Sequence, residues 1–166
     1  MLADRWNVTD AETRRRYPCD EIVAAPALEA WRGVTVMTSP ERVWPWIVQI
    51  RVAPYSYDWI DNLGRRSPQR LLDLPDPVVG DFFTTAAGRP TGRVLAVKPG
   101  EHLTAQIMGA VMSYVLVPQE RSTRLLLKFV MRRSGRLGPL LCLGDLVMAR
   151  RQLLNLARLA QQDTTP

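Results

Sequence analysis

Two aspartates, Asp58 and Asp61, lie among Tyr55, Tyr57 and Trp59 in "PYSYDWIDNLG", residues 54–64. A carboxylate beside a phenol can work as general acid or base, provided both reach the atom that gains or loses the proton. Asp58 and Tyr57 are therefore the candidates for catalysis. The same carboxylates at the start of a short helix would be stabilised by the helix dipole and need no chemistry to explain them. The sole histidine, His102 in "GEHLTAQ", shows no orienting partner in the sequence, and a nucleophile–base constellation is missing for the same reason. The two cysteines, Cys19 and Cys142, are far apart and lack metal-ligand spacing. Cys142 sits in an apolar run and reads as a buried, inert thiol. No glycine-rich phosphate loop follows a strand. The sequence thus calls for no metal and no cofactor.

The remaining chemistry is that of binding. Tyr55, Tyr57 and Trp59 carry large rings with polar handles, which suit the mouth of a ligand pocket. Gln49 ends the preceding segment, and a buried amide there must hydrogen-bond either the loop or a ligand.

The elements that would position these residues follow from pattern. Thr9 and Asp10 cap a short helix in which Glu12 precedes Arg16 at the favourable i,i+4 spacing, and Pro18 stops it. Residues 17–31 read as irregular, and "GVTVMT" (33–38) reads as the first strand. "SPERVWPWIVQI" begins with a Ser-Pro helix start and predicts a helix over 40–50, with Trp44 and Trp46 in packing roles. Residues 58–63 predict a one- or two-turn helix with Trp59, Ile60 and Leu63 on its apolar side, ended by Gly64. "SPQRLLDL" (67–74) predicts another turn of helix. From residue 78 onward, "VVGDFFTTA", "GRVLAVK", "EHLTAQIM", "MSYVLVPQ" and "TRLLLKFVMRR" recur at roughly ten-residue intervals, the signature of an antiparallel meander. In 123–133, Leu125, Leu127, Phe129 and Met131 alternate with Leu126, Lys128, Val130 and Arg132, predicting one inward face and one facing water. Residues 137–161 predict one long helix. Its apolar stripe is Leu143, Leu146, Val147, Leu153, Leu154, Ala157 and Ala160.

Helices grouped on one side of an antiparallel sheet mean an α+β fold in a single domain, 1–166, with an N-terminal arm (1–31) and a polar tail (162–166). One helix cannot fill the hollow of a strongly curved sheet, so an internal apolar cavity is expected.

Strand, "SPERVWPWIVQI", "YSYDWIDNLG", meander and "GPLLCLGDLVMARRQLL" together resemble the START-like helix-grip superfamily (SRPBCC, polyketide cyclase/dehydrase-like), and most of all a bacterial subgroup within it. The resemblance covers nearly the whole chain, including "WNVTDAE" near its start, and departs from the subgroup at "RVAP" (51–54), where a shorter loop replaces a glycine-rich linker. It implies a curved antiparallel sheet wrapped around the long C-terminal helix. It also implies binding of a small hydrophobic molecule in the cavity, or cyclase/dehydrase-type chemistry through a pocket tyrosine or aspartate, or an interaction role with the cavity collapsed. The residues expected to contact a ligand are Gln49, Tyr55, Tyr57, Trp59, Met108, Tyr114 and Phe129.

Composition limits the partners. Net charge is +6, nearly all of it from arginines dispersed along the chain, with no nucleic-acid reading motif, so no specific nucleic-acid partner is expected. "GPLLCLGDLVMA" holds Asp145 and falls short of the ~20 apolar residues of a membrane span. The N-terminus is charged and unlike a signal peptide, so the expectation is a cytoplasmic protein, monomer or homodimer.

Overall fold

The computed structural model describes residues 4–61, 63–132 and 138–162. Strand β1 (Arg5–Trp6) leads into two short helices, α1 (Asp10–Arg14) and α2 (Pro18–Ile22), and then β2 (Leu28–Val36). Helix α3 (Pro40–Val48) runs into a 3-10 turn (Gln49–Arg51), and α4 (Asp58–Asp61) is a single turn. β3 (Thr84–Ala86) and β4 (Arg89–Thr91) form a separate hairpin. β5 (Arg93–Lys98), β6 (His102–Ile107), β7 (Ala110–Pro118) and β8 (Thr123–Met131) follow, and α5 (Gly138–Gln162) closes the chain. The main sheet has six strands in the order β1-β2-β8-β7-β6-β5, antiparallel except for the β1–β2 pair. The fold is α+β, a curved sheet with α5 against its inner face.

That inner face holds the main core. Val34 and Val36 of β2, Leu103 and Ala105 of β6, Leu116 of β7 and Leu125 and Leu127 of β8 pack with Val43, Trp46 and Ile47 of α3 and Leu153, Leu156 and Ala160 of α5. Trp44 and Trp46 are buried, as packing residues should be. The expected stripe on α5 is corrected in part. Leu153, Ala157 and Ala160 are buried, but Val147 and Leu154 are 46% and 39% exposed. The face of the helix that buries Leu153 buries Gln152, Leu156 and Leu159 with it. The side chains of Cys142, Leu143 and Leu146, and the tail beyond 162, lie outside the described residues. No described helix is long and apolar enough to cross a membrane.

Three further expectations change. First, 17–31 is not irregular: Pro18 opens α2, and β2 begins at Leu28 rather than at 33. Gly33 lies inside β2 because the arm crosses there. Asn7 Nδ2 donates to the Gly33 carbonyl at 2.9 Å, and a β-carbon on Gly33 would come within 2.9 Å of the Asn7 carbonyl. Second, 67–74 is not helical. Asp58 takes up the Ser67 amide and hydroxyl, and Gln49 accepts the Leu72 amide, so these groups are held outside a helical ladder. Third, the stretch 78–86 contributes only β3, which pairs with β4 and not with the main sheet.

The outer face of the sheet is also covered. Leu126 and Val130 pack with Tyr17, Cys19, Val23, Trp31, Val111 and Val115 under the N-terminal arm. Lys128, which read as water-facing, is buried. Its ammonium meets Asp20 and Glu29, lies 5.1 Å from the Trp31 ring centre and 5.6 Å from that of Tyr17. Burial pulls the Lys128 ammonium down, and the hydrogen bonds to Asp20 and Glu29 outweigh it and hold it above its ordinary value. Beside it, the Ser113 hydroxyl accepts from the Cys19 amide at 2.9 Å and pairs with Thr104 at 2.7 Å. Burial pushes the Cys19 thiol up to about 11, so it is inert at neutral pH.

The arm is anchored at its other end by Glu12, which turns to Arg124 at 2.7 Å and not to Arg16. Glu12 also completes a capping box with Thr9. Burial works to raise the Glu12 carboxyl, but the bonds from Arg124 and Thr9 prevail and lower it below its ordinary 4.5. A depressed carboxyl contributes stability above its unfolded value and loses it as pH falls through the folded one. Denaturant melts between pH 7 and 3 should therefore show a steeper acid loss in the wild type than in Glu12→Gln. Equal slopes would mean that this pair does not tie the arm down.

Candidate functional site: a methionine-lined cavity

Between α5 and the inner face of the sheet, α5 leaves a gap that the neighbouring side chains do not fill. The cavity there measures about 510 Å³, within the range of small-molecule sites. β7 contributes Ala110, Met112 and Tyr114, and β8 contributes Leu127, Phe129 and Met131. Alternation puts each set on the inner face. Met148, Ala149 and Gln152 reach in from α5, and Ile107 and Met108 from the β6–β7 end. Ile50, Pro54, Ser56, Phe83 and Thr84 complete the lining. Four of the chain's six methionines are at this one place. Met108 occupies the β6–β7 turn in left-handed backbone (φ 50°) and is 93% exposed, so it stands at the rim.

Most polar groups on the wall have partners within the protein. The Tyr114 hydroxyl donates to Gln152 Oε1 at 2.7 Å, and Gln152 Nε2 donates to the Pro54 carbonyl at 2.6 Å. Thr84 donates to the Ile50 carbonyl at 2.7 Å. Asn155 Nδ2 bonds the carbonyl of Tyr55, whose φ of 56° is unusual for a bulky residue. These bonds fix the 50–56 loop against α5 and shape one wall of the cavity. A buried polar group so paired costs little, and it also has little left to offer a ligand. Tyr114 is the one titratable side chain on the wall among the described residues.

Of the residues expected to meet a ligand, Met108, Tyr114 and Phe129 are on the wall. Gln49 and Tyr55 are not. Both are fully buried behind it, where Gln49 Nε2 donates to the Tyr55 hydroxyl (2.6 Å) and the Arg70 carbonyl (2.8 Å) and Oε1 accepts from Leu72 (2.8 Å). Gln49 thus pins the 70–72 backbone. Burial pushes the Tyr55 phenol up to about 12, against the lowering effect of the Gln49 bond, so it holds its proton at neutral pH. Tyr57 lies under the Arg151 guanidinium at 5.9 Å, outside the cavity. Asp58 accepts from the Ser67 amide at 2.8 Å and its hydroxyl at 2.6 Å, bonds that hold a loop corner. The side chains of Trp59 and Asp61 lie outside the described residues. Ile60 and Leu63, on the apolar side predicted for this segment, are 50% and 72% exposed rather than buried. His102 opens β6 beside Arg16 and Tyr17 on the outer face, away from the cavity.

The wall residues that the sequence reading passed over include Met112, Met131, Met148, Ala149 and Gln152. Period-two alternation from Tyr114 and Phe129 reaches Met112 and Met131 directly. Met148 and Gln152 stand four apart on α5, which places them on one helix face.

No protein-family model matches the chain, and neither does any curated protein. Solved structures do. A protein of Mesorhizobium loti is 17% identical, covers 84% of this chain and 100% of its own, and superposes with a TM-score of 0.58. A protein of Nitrosomonas europaea is 13% identical over 82% of this chain and 96% of its own, at 0.52. A "Polyketide_cyc-like" protein of Corynebacterium glutamicum is 15% identical over 81% and 92%, at 0.50. Identities this low speak to architecture alone, and with the topology above they identify the helix-grip fold.

Proposed function

We propose that the protein binds or sequesters a small hydrophobic molecule, lipid- or polyketide-like, in the cavity between α5 and the sheet. The observation that carries this reading is the wall itself: apolar on nearly every side, with the side-chain hydrogen bonds of Tyr114, Gln152 and Thr84 given to one another or to backbone. Thioether side chains are unbranched and polarizable, and they make favourable contacts with ring edges, so this wall suits irregular or flat apolar ligands. Acid–base catalysis would rest on Tyr114 alone among the described wall residues, since Tyr57 and Asp58 stand elsewhere.

Native mass spectrometry of freshly purified protein tests the proposal. The expected result is an added mass that disappears on organic extraction, with the stripped protein regaining affinity for Nile red. Protein that carries no added mass and binds no Nile red would refute it.

A further inference from the structure

The side of α5 that the sheet leaves uncovered continues into the loop 56–72. Val147, Arg151, Leu154 and Arg158 follow one another at helical spacing and are all exposed. Arg158 donates to Gln69 at 2.9 Å, and Arg151 stands over Tyr57, so helix edge and loop are joined along this line. The loop adds exposed Ile60, Leu63 and Leu72, with Arg66 and Arg70 beside them. Leu63 adopts a left-handed backbone (φ 50°). That conformation suits glycine or asparagine and is uncommon for a bulky side chain, and here it displays a leucine to solvent. Of the acids here whose side chains are described, Asp58 is engaged by Ser67, and Asp73 lies just past the segment.

Exposed leucines interspersed with arginines, on a chain of net charge +6, complement an anionic lipid surface. We propose that this face docks peripherally on an anionic bilayer, with Leu63 and Leu72 entering the headgroup boundary and Arg66 and Arg70 meeting phosphates. Ser56, Met148 and Gln152 line the cavity from the same loop and helix, so a ligand could pass from bilayer to cavity beside the contact. That last step rests on the binding function proposed above, whereas the docking does not.

The test is co-sedimentation of the full chain with vesicles of phosphatidylcholine, with and without phosphatidylglycerol. The wild type should sediment with the anionic vesicles only and be released by salt. Leu63→Asn should weaken sedimentation several-fold without lowering Tm, because asparagine tolerates the left-handed conformation. Arg66→Glu with Arg70→Glu should weaken it more than about tenfold, since each arginine near such a surface accounts for about fivefold. Nile red affinity in free solution should be the same in all these variants. Wild type that ignores both kinds of vesicle, or variants that sediment as the wild type does, would overturn the proposal. Retention on heparin or polyglutamate without vesicle binding would also overturn it and assign the face to a polyanion.

Discussion

Leu156→Ala should lower stability by about 2–5 kcal/mol, and Leu154→Ala should change it by less than about 0.5 kcal/mol. The two leucines are two residues apart on one helix and differ only in what they meet. Leu156 has no exposure and packs in the main core, whereas Leu154 is 39% exposed. Removing a buried isobutyl group loses its transfer free energy and leaves a hole that rigid neighbours on β2 and α3 cannot fill. In a domain of this size each kcal/mol moves the midpoint by about 2–4 °C, so thermal melts separate the variants easily. A drop of a degree or less for Leu156→Ala, or equal drops for both, would show that α5 faces the sheet with another side.

The error over Leu154 has a readable cause. Apolar residues occur all round α5, so helical spacing of leucines and valines does not single out one face. Arg150, Arg151 and Arg158 do, because an unpaired guanidinium is almost never buried. Viewed along the helix, the side opposite these arginines passes through Ala149, Leu153, Leu156 and Ala160, all of which are buried. A parallel limit applied to β8. Its alternation is real, yet Lys128 made the outer face read as wet. The carboxylates that pair it, Asp20 and Glu29, are about a hundred residues away in sequence, and no local pattern announces them. The helix-grip order was legible because hydrophobic periods and Ser-Pro starts are local signals. The cavity wall was legible only in part. Met108, Tyr114 and Phe129 lie on strands or a turn that the meander pattern predicts, whereas Gln49 and Tyr55 sit in a turn and loop held through Gln49 to the Arg70 carbonyl and the Leu72 amide, 21 and 23 residues further along the chain.

Ala149→Trp should reduce Nile red affinity by at least about tenfold, a loss of ~1.4 kcal/mol, while leaving the fold intact. Ala149 is one of the smallest side chains on the wall and projects from α5 into the space that Met112, Tyr114 and Phe129 border. Enlarging a residue in a filled core usually costs about 1–3 kcal/mol in strain. Here the indole would enter space already present, so its burial offsets much of that strain. Leu154→Trp, on the exposed side of the same helix, supplies the comparison and should bind as the wild type does. Ala110→Phe narrows the cavity from the β7 side and guards against a helix variant that fails to fold. If Ala149→Trp and Ala110→Phe both fold and both hold the dye with unchanged affinity, the dye site is elsewhere and the cavity is not where this protein takes up its ligand. If affinity falls with both, the loss follows the volume removed and not any polar contact, since neither substitution touches the Tyr114–Gln152–Pro54 bonds. That pattern would be expected of a binding cavity selected for shape and apolar character, and not of a site built around a reacting group.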